Sequence, residues 1–214
     1  FIDGPAISGY WSARGFTHYS LLLIPLVYVV MKIAHEFAHG LAAKRWGAEV
    51  RDMGFVLLLL IPIPYVDTSA AWAFAEKSRR VAVGAAGILA ELGLAAIATI
   101  VFVLVEPGII KDIAYIAMLL GTVSTLLFNG NPLLRFDGYY VLSDALEIPN
   151  LSPRATRYWL YLAERYGFGL TDANSPVAAR GERGWFLFYG AGSTLYRLGI
   201  LFAIALFVAA ELPV

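Results

Sequence analysis

The stretch that decides the fold is His35-Glu36-Phe37-Ala38-His39, which follows an apolar run that begins at Leu21. On a helix, side chains four residues apart share a face, so His35 and His39 can direct their imidazoles to one point. Two neutral imidazoles are good ligands for Zn²⁺, which also needs a third protein ligand and an open position to do chemistry. Glu36 lies about 100° round the helix from His35, where a carboxylate could act as general base on a water. The alternative is a pair of structural membrane histidines partnered by Glu36.

The composition is that of a membrane protein. Of the 214 residues, 59% are hydrophobic and 15% are charged, whereas a soluble domain has about 25% charged residues. The net charge is zero and no basic block interleaves with aromatics, which excludes nucleic acid as an expected partner. The chain has no cysteine, so a disulfide or a cysteine zinc site is impossible. We therefore expect an all-α polytopic protein with the lipid bilayer as its environment.

The order of apolar and polar segments predicts about four transmembrane helices, a short re-entrant β-like segment and an interfacial polar region. The re-entrant segment is too short to span and ends in two prolines; a short buried helix is the alternative. We predict one domain over residues 1–214. Its segments are the helix with the two histidines (19–43), the re-entrant segment (53–65), the second span (81–105), a broken span (112–147), a polar cytoplasmic segment (149–185) and the last span (190–210).

Two carboxyl groups and two amides lie where polar side chains are unusual. Asp137 follows a helix break at Asn129-Gly130-Asn131-Pro132 and is the natural third zinc ligand, with a plain helix cap as the alternative. Free backbone amides and the side chains of Asn129 and Asn131 at this break could bind a substrate. Glu91 sits near the middle of the second span, where a carboxyl is costly. It either stays protonated or bonds a partner near the site, and we favour a supporting role over metal ligation.

The distribution of Lys and Arg predicts the orientation. The segment after the first span carries six of them, including Lys44 and Arg45, whereas the turn at 106–111 carries one. Positive loops stay in the cytoplasm. We therefore expect an integral membrane protein whose site lies toward the cytoplasmic side.

The motifs together resemble a known family. His35-Glu36-Phe37-Ala38-His39 in one span, with Asn131-Pro132 and Asp137-Gly138 in a later one, is similar to the site-2 proteases, the intramembrane zinc metalloproteases of peptidase family M50. The strings 65–72, 131–140 and 147–151 look like a bacterial branch of that family, some of whose members have adaptor-like parts and links to secretion.

The resemblance implies a function for each matching residue. His35, His39 and Asp137 would hold one Zn²⁺, and Glu36 would activate water for attack on a peptide carbonyl. Asn131, with Asn129, would lie near the substrate, a transmembrane protein cut in or beside its span. The re-entrant segment would hold that substrate as an added strand. The expected location is the bacterial inner membrane, with a secretion or adaptor protein as a further partner.

One position departs from the family pattern. Much of the family has Gly-x-x-x-Asn in the second span, whereas this chain has Gly87 and Glu91.

Two other functions are alternatives to the protease. A di-iron oxidase would need two Glu-x-x-His motifs, and this chain has one. A non-catalytic zinc-binding subunit or scaffold of a secretion or transport assembly differs from the protease in having no need of Glu36.

Overall fold

The computed structural model describes residue 10 and residues 20–58 and 61–211. Contacts within the chain divide it into two compact units, 1–130 and 131–214, where the sequence suggested one domain. Each unit is described by itself. Leu59 and Leu60 of the predicted re-entrant segment lie outside the described residues.

Most of the described chain is helical, and four helices are long and apolar enough to cross a membrane, as expected. In the first unit, α1 is Ser20–Arg45 and α2 is Lys77–Leu104. The next helix, α3, is Ile109–Leu119 and continues as a π-helix over Leu120–Asn129. Helix α2 begins at Lys77 rather than at the predicted residue 81, since polar residues can extend a helix beyond its apolar part.

Helices α1 and α2 pack against each other through matching stripes. Every fourth residue of α1 is buried, and the two histidines belong to that stripe: Leu23, Val27, Met31, His35, His39 and Ala43. The facing stripe of α2 is Val83, Gly87, Glu91, Ala95, Ala98 and Phe102. His39 meets Val83 and Lys32 meets Glu91, so the two helices run antiparallel. The i, i+4 spacing thus places both imidazoles at a helix interface.

The π-helix packs against both α1 and α2 at Gly121. A Cβ atom placed there would lie 2.8 Å from Met31 Cε on α1 and 2.8 Å from Ala95 Cβ on α2. Only glycine allows backbones to approach this closely. The close approach brings the π-helix beside Glu91.

The predicted re-entrant segment is extended, and the alternative of a short helix is wrong. Strand β1 (Met53–Leu58) pairs antiparallel with β2 (Ile61–Val66). Pro62 and Pro64 explain why no helix forms, because proline removes a donor and clashes with the preceding turn. Strand β2 packs on α1, where a Cβ at Gly40 would lie 3.3 Å from Val66 Cγ2. A short 3₁₀ helix, Ser69–Ala73, leads toward α2.

The second unit contains α4 (Asp137–Leu146), α5 (Leu151–Leu162), a π-turn (Ala163–Gly167) and α6 (Glu182–Glu211). Its core joins all three helices through Tyr139, Ile148, Leu151, Ala155, Tyr158, Phe186 and Tyr189. The predicted polar segment at 149–185 is helical over residues 151–167 and again from Glu182.

Helix α6 begins eight residues before the predicted start at 190. The Glu182 carboxylate accepts hydrogen bonds from the backbone N–H groups of Ala178 and Ala179, and it pairs with Arg154 at 2.6 Å. These contacts fix the start of the helix, and the partner on α5 is too distant in sequence to be anticipated. Farther along, α6 exposes a long apolar surface, including Leu198, Phe202 and Phe207.

Candidate metal centre

The two histidines of α1 converge on one point. His35 and His39 are 4% and 7% exposed, and their Nε2 atoms lie 3.1 Å apart. Two Zn–N bonds of about 2.0–2.1 Å at a tetrahedral angle place the nitrogens about 3.3–3.4 Å apart. The observed separation is thus close to that of two ligands of one metal ion.

Oxygen atoms on the far side of each ring indicate which nitrogen faces this point. His39 Nδ1 lies 2.7 Å from the carbonyl oxygen of Val83, which can only accept, so Nδ1 is the donor. His35 Nδ1 lies 3.2 Å from Glu91 Oε1, and an ionised carboxylate also only accepts. When both rings are neutral, each therefore directs an Nε2 lone pair at the same place. Two acceptors this close need a cation between them, and partners of this kind orient metal-binding histidines.

Gly87 on α2 leaves room at this point. A Cβ atom there would lie 2.5 Å from His35 Nε2 and would also collide with His39 Nε2. Any side chain at residue 87 would therefore occupy the space in front of the two ligand nitrogens. The residue types, their separation and the open space all fit a bound metal.

Glu91, predicted as a supporting residue, is 3% exposed and carries most of the polar contacts around the histidines. Its Oε1 lies 2.5 Å from Lys32 Nζ, and its Oε2 accepts a hydrogen bond from the Thr125 hydroxyl. Asn129 Nδ2 lies 3.1 Å from the same Oε2. The second alternative for Glu91, a bonded partner, is the one observed. Lys32 and Thr125 were not anticipated, because each lies at least 34 residues from Glu91.

The two asparagines have different partners. Asn129, predicted to contact substrate, is 9% exposed and directs its amide to Glu91. Asn131 Oδ1 accepts a hydrogen bond from Leu133 N at 2.9 Å and so shapes the turn before α4. The structure thus joins Asn129, rather than Asn131, to the polar group around Glu91.

Asp137 is the first residue of α4 and is partly buried. The preceding Phe136, not Asp137, occupies the cap position, so the alternative of a plain helix cap does not describe it. Among the described residues, His35, His39 and Asp137 form a group that could hold a metal ion.

Glu36 lies in a groove on the first unit between α1 and the β-hairpin. A cavity of about 180 Å³ is lined by Ile33, Glu36, Phe37, Met53, Gly54, Phe55, Pro64 and Tyr65. Glu36 is only partly buried, in contrast to the histidines that flank it. A chain entering the groove would therefore meet this carboxylate.

Comparison with known proteins adds little. No protein-family model matches the chain, and no solved structure matches it. An uncharacterized protein of Methanocaldococcus jannaschii is 41% identical over 59 residues, which is 27% of this chain and 16% of that protein. The match spans about one sixth of that relative's length and supplies no activity. The functional argument therefore depends on the geometry of the site.

Proposed function

We propose that this chain is an intramembrane zinc metalloprotease of the site-2 type. The observation that carries the proposal is the pair of Nε2 atoms 3.1 Å apart in front of Gly87, with Glu36 one residue from His35 on the same helix. Zinc fits this donor set, because two imidazoles and one carboxylate are typical of catalytic zinc sites. Buried ionisable groups in an apolar helix are costly and usually functional, which supports chemistry over structure.

Each residue has a distinct task in this mechanism. His35, His39 and Asp137 would hold the zinc, which when bound supplies a Lewis acid and lowers the pKa of water. Glu36 takes the proton from the attacking water and passes it to the leaving amine, as a general base and then a general acid. Asn131 can still offer its amide nitrogen to the substrate, since its oxygen is used in the turn.

The hairpin offers one edge to an unwound substrate. Asp67 N donates to Asp52 O, which makes 52 and 67 a hydrogen-bonded pair and, by alternation, directs the backbone groups of Met53, Phe55 and Leu57 away from β2. On the outer side of β2, the matching positions include Pro62 and Pro64, which have no N–H to donate. A substrate would therefore add to β1 as a third strand, beside the groove that contains Glu36.

The apolar helices support a bilayer as the environment. Exposed side chains of α1 recur at Leu22, Leu26 and Val30, and lipid would cover this stripe. Basic residues flank the loop that contains the hairpin: Lys44 and Arg45 end α1, and Lys77, Arg79 and Arg80 lie in the first turn of α2. This positive charge favours a cytoplasmic location and a site toward that side. We propose the bacterial inner membrane.

The proposal is tested by Glu36→Gln, with Glu49→Gln as a control in the exposed loop after α1. Each variant is purified in detergent for zinc analysis and co-expressed with a panel of single-span membrane proteins. We expect Glu36→Gln to keep about one zinc per chain and to cut nothing that the wild type cuts. Turnover at the wild-type rate in this variant would overturn the proposal. A zinc-loaded wild type that cuts no panel member would instead favour the non-catalytic scaffold.

A further inference from the structure

We propose that Lys32 is a positioning residue for the metal centre. Its ammonium group, together with Thr125 and Asn129, holds the Glu91 carboxylate where it orients the His35 imidazole. The predicted effect of Lys32 on zinc affinity rests on the proposed function, whereas its predicted effect on the His35 tautomer does not.

The geometry places Lys32 and His35 on the same carboxylate oxygen. They lie three residues apart on α1, so both reach the same side of α2. Glu91 Oε1 is 2.5 Å from Lys32 Nζ and 3.2 Å from His35 Nδ1. The carboxylate oxygen that lies 3.2 Å from the imidazole is therefore also the oxygen that contacts the ammonium group.

The second carboxylate oxygen is fixed from another helix. Thr125 and Asn129 both donate to Oε2, and both belong to the π-helix. In a π-helix the hydrogen bonds run from i to i+5, and Gly130 N accordingly donates to Thr125 O at 2.6 Å. The wider turn brings residues four apart more nearly into line than an α-helix would. Glu91 is thus held at both oxygens, and its plane cannot rotate away from His35.

Charge explains why a lysine is needed here. Glu91 is 3% exposed and the Lys32 side chain is 14% exposed, at the centre of apolar helices. A lone carboxylate in such a place is costly, and a partner of opposite charge offsets that cost. Without Lys32, the Asn129 amide, 3.3 Å from Oε1, would pull this oxygen toward the π-helix, and no ammonium group on α1 would hold it beside His35.

The direct test is the tautomer of His35, measured by NMR on protein labelled with ¹⁵N in its histidines. The chain has only three histidines, so the signals can be assigned by substitution. We expect metal-free wild type to hold His35 with the proton on Nδ1, and Lys32→Met to give a mixture of tautomers. His39 should keep its tautomer, because its acceptor is a backbone carbonyl on α2.

The second measurement is zinc affinity, with the unfolding temperature of the metal-free protein followed in parallel. Loss of a hydrogen-bond partner behind a metal ligand typically weakens metal binding by about 10–100-fold, and we expect a loss in this range for Lys32→Met. Lys111→Met is the matched control, since that lysine binds the carbonyl oxygen of Val105 in the same unit. It should leave both the affinity and the His35 tautomer unchanged.

A double variant, Lys32→Met with Glu91→Gln, provides the test if the single variant does not fold. It leaves no unpaired charge, and the amide introduced at position 91 retains an oxygen for His35 but lacks the ammonium that fixes it. Mixed His35 tautomers in this variant support the inference. A His35 tautomer and zinc affinity equal to wild type in either variant would overturn it. If wild type binds no zinc while Lys32→Met still shifts the tautomer, the positioning role stands and the zinc proposal fails.

Discussion

The Nδ1 atom of His39 lies 2.7 Å from the carbonyl oxygen of Val83, so one of the two histidines is oriented by backbone alone. The Nδ1 atom of the other histidine, His35, lies 3.2 Å from a side-chain oxygen, Oε1 of Glu91. Side-chain substitution can remove the second partner but not the first. The two imidazoles should therefore respond differently to mutation of the surrounding residues.

Gly87→Ala should abolish metal binding. The added Cβ would meet both ligand nitrogens, so either the metal is excluded or the helices separate. Zinc content of the purified protein measures the effect, and we expect a large loss. Gly93→Ala on the same helix is the control, because a Cβ there meets nothing within 4 Å. That change should keep the zinc and stabilise the helix by roughly 0.5–1 kcal/mol. Full zinc in Gly87→Ala would rule out a site in front of this glycine.

Asp137→Ala should sharply reduce the zinc content, since it removes the carboxylate of the group that could hold a metal. Asp144→Ala, in the same helix, controls for loss of an acidic residue from α4. Metal analysis after purification without chelator separates the two outcomes. Zinc retained in full by Asp137→Ala would mean that another group completes the site.

Phe55→Pro should slow proteolysis more than Phe55→Ala does. Both variants lose the phenyl ring of Phe55, but only the proline removes the backbone N–H that faces away from β2. The β1–β2 hydrogen bonds are kept in both. The comparison is made on any substrate whose cleavage requires Glu36. Equal rates for the two variants would argue against strand addition at this edge.

Stability should depend on pH through Asp67 at the end of the hairpin. The hydroxyl and backbone N–H of Ser69 hold the pKa of Asp67 below its ordinary value of 3.8. Because its pKa is lower in the folded state, ionised Asp67 adds to the free energy of unfolding above pH 3.8. This stabilisation is lost as the pH falls further through the folded pKa. We expect the Tm difference between wild type and Asp67→Asn to shrink below pH 3.8. Ser69→Ala should move the pKa of Asp67 upward, toward 3.8; an unchanged pKa would contradict the assigned cause.

The histidine pair could be predicted because its geometry is local. Residues 35 and 39 share a helix face in any helix, and the apolar surroundings favoured that helix strongly. Pro62 and Pro64 likewise excluded a helix at the hairpin. The pairing of β1 with β2 was harder to foresee, because an extended segment can lie alone or fold back on itself.

The contacts around Glu91 could not be predicted, because they join three helices. Lys32 and Glu91 are 59 residues apart, and no local pattern links them. Asn129 looked like a substrate contact because it lies at a helix break, yet the π-helix turns it toward Glu91. The early start of α6 could not be predicted for the same reason, because Glu182 pairs with Arg154 on another helix.

The π-helix at Leu120–Asn129 makes the site sensitive to chain length as well as to side chains. Removing one residue from this segment would let the backbone return to α-helical hydrogen bonding. The residues of the segment would then be spaced about 100° apart around the helix axis, as in an α-helix, and their side chains would change direction. Thr125 and Asn129 could no longer both reach Glu91, although every polar group would still be present. The rotational phase of one helix is therefore as much a part of this centre as the residues that compose it.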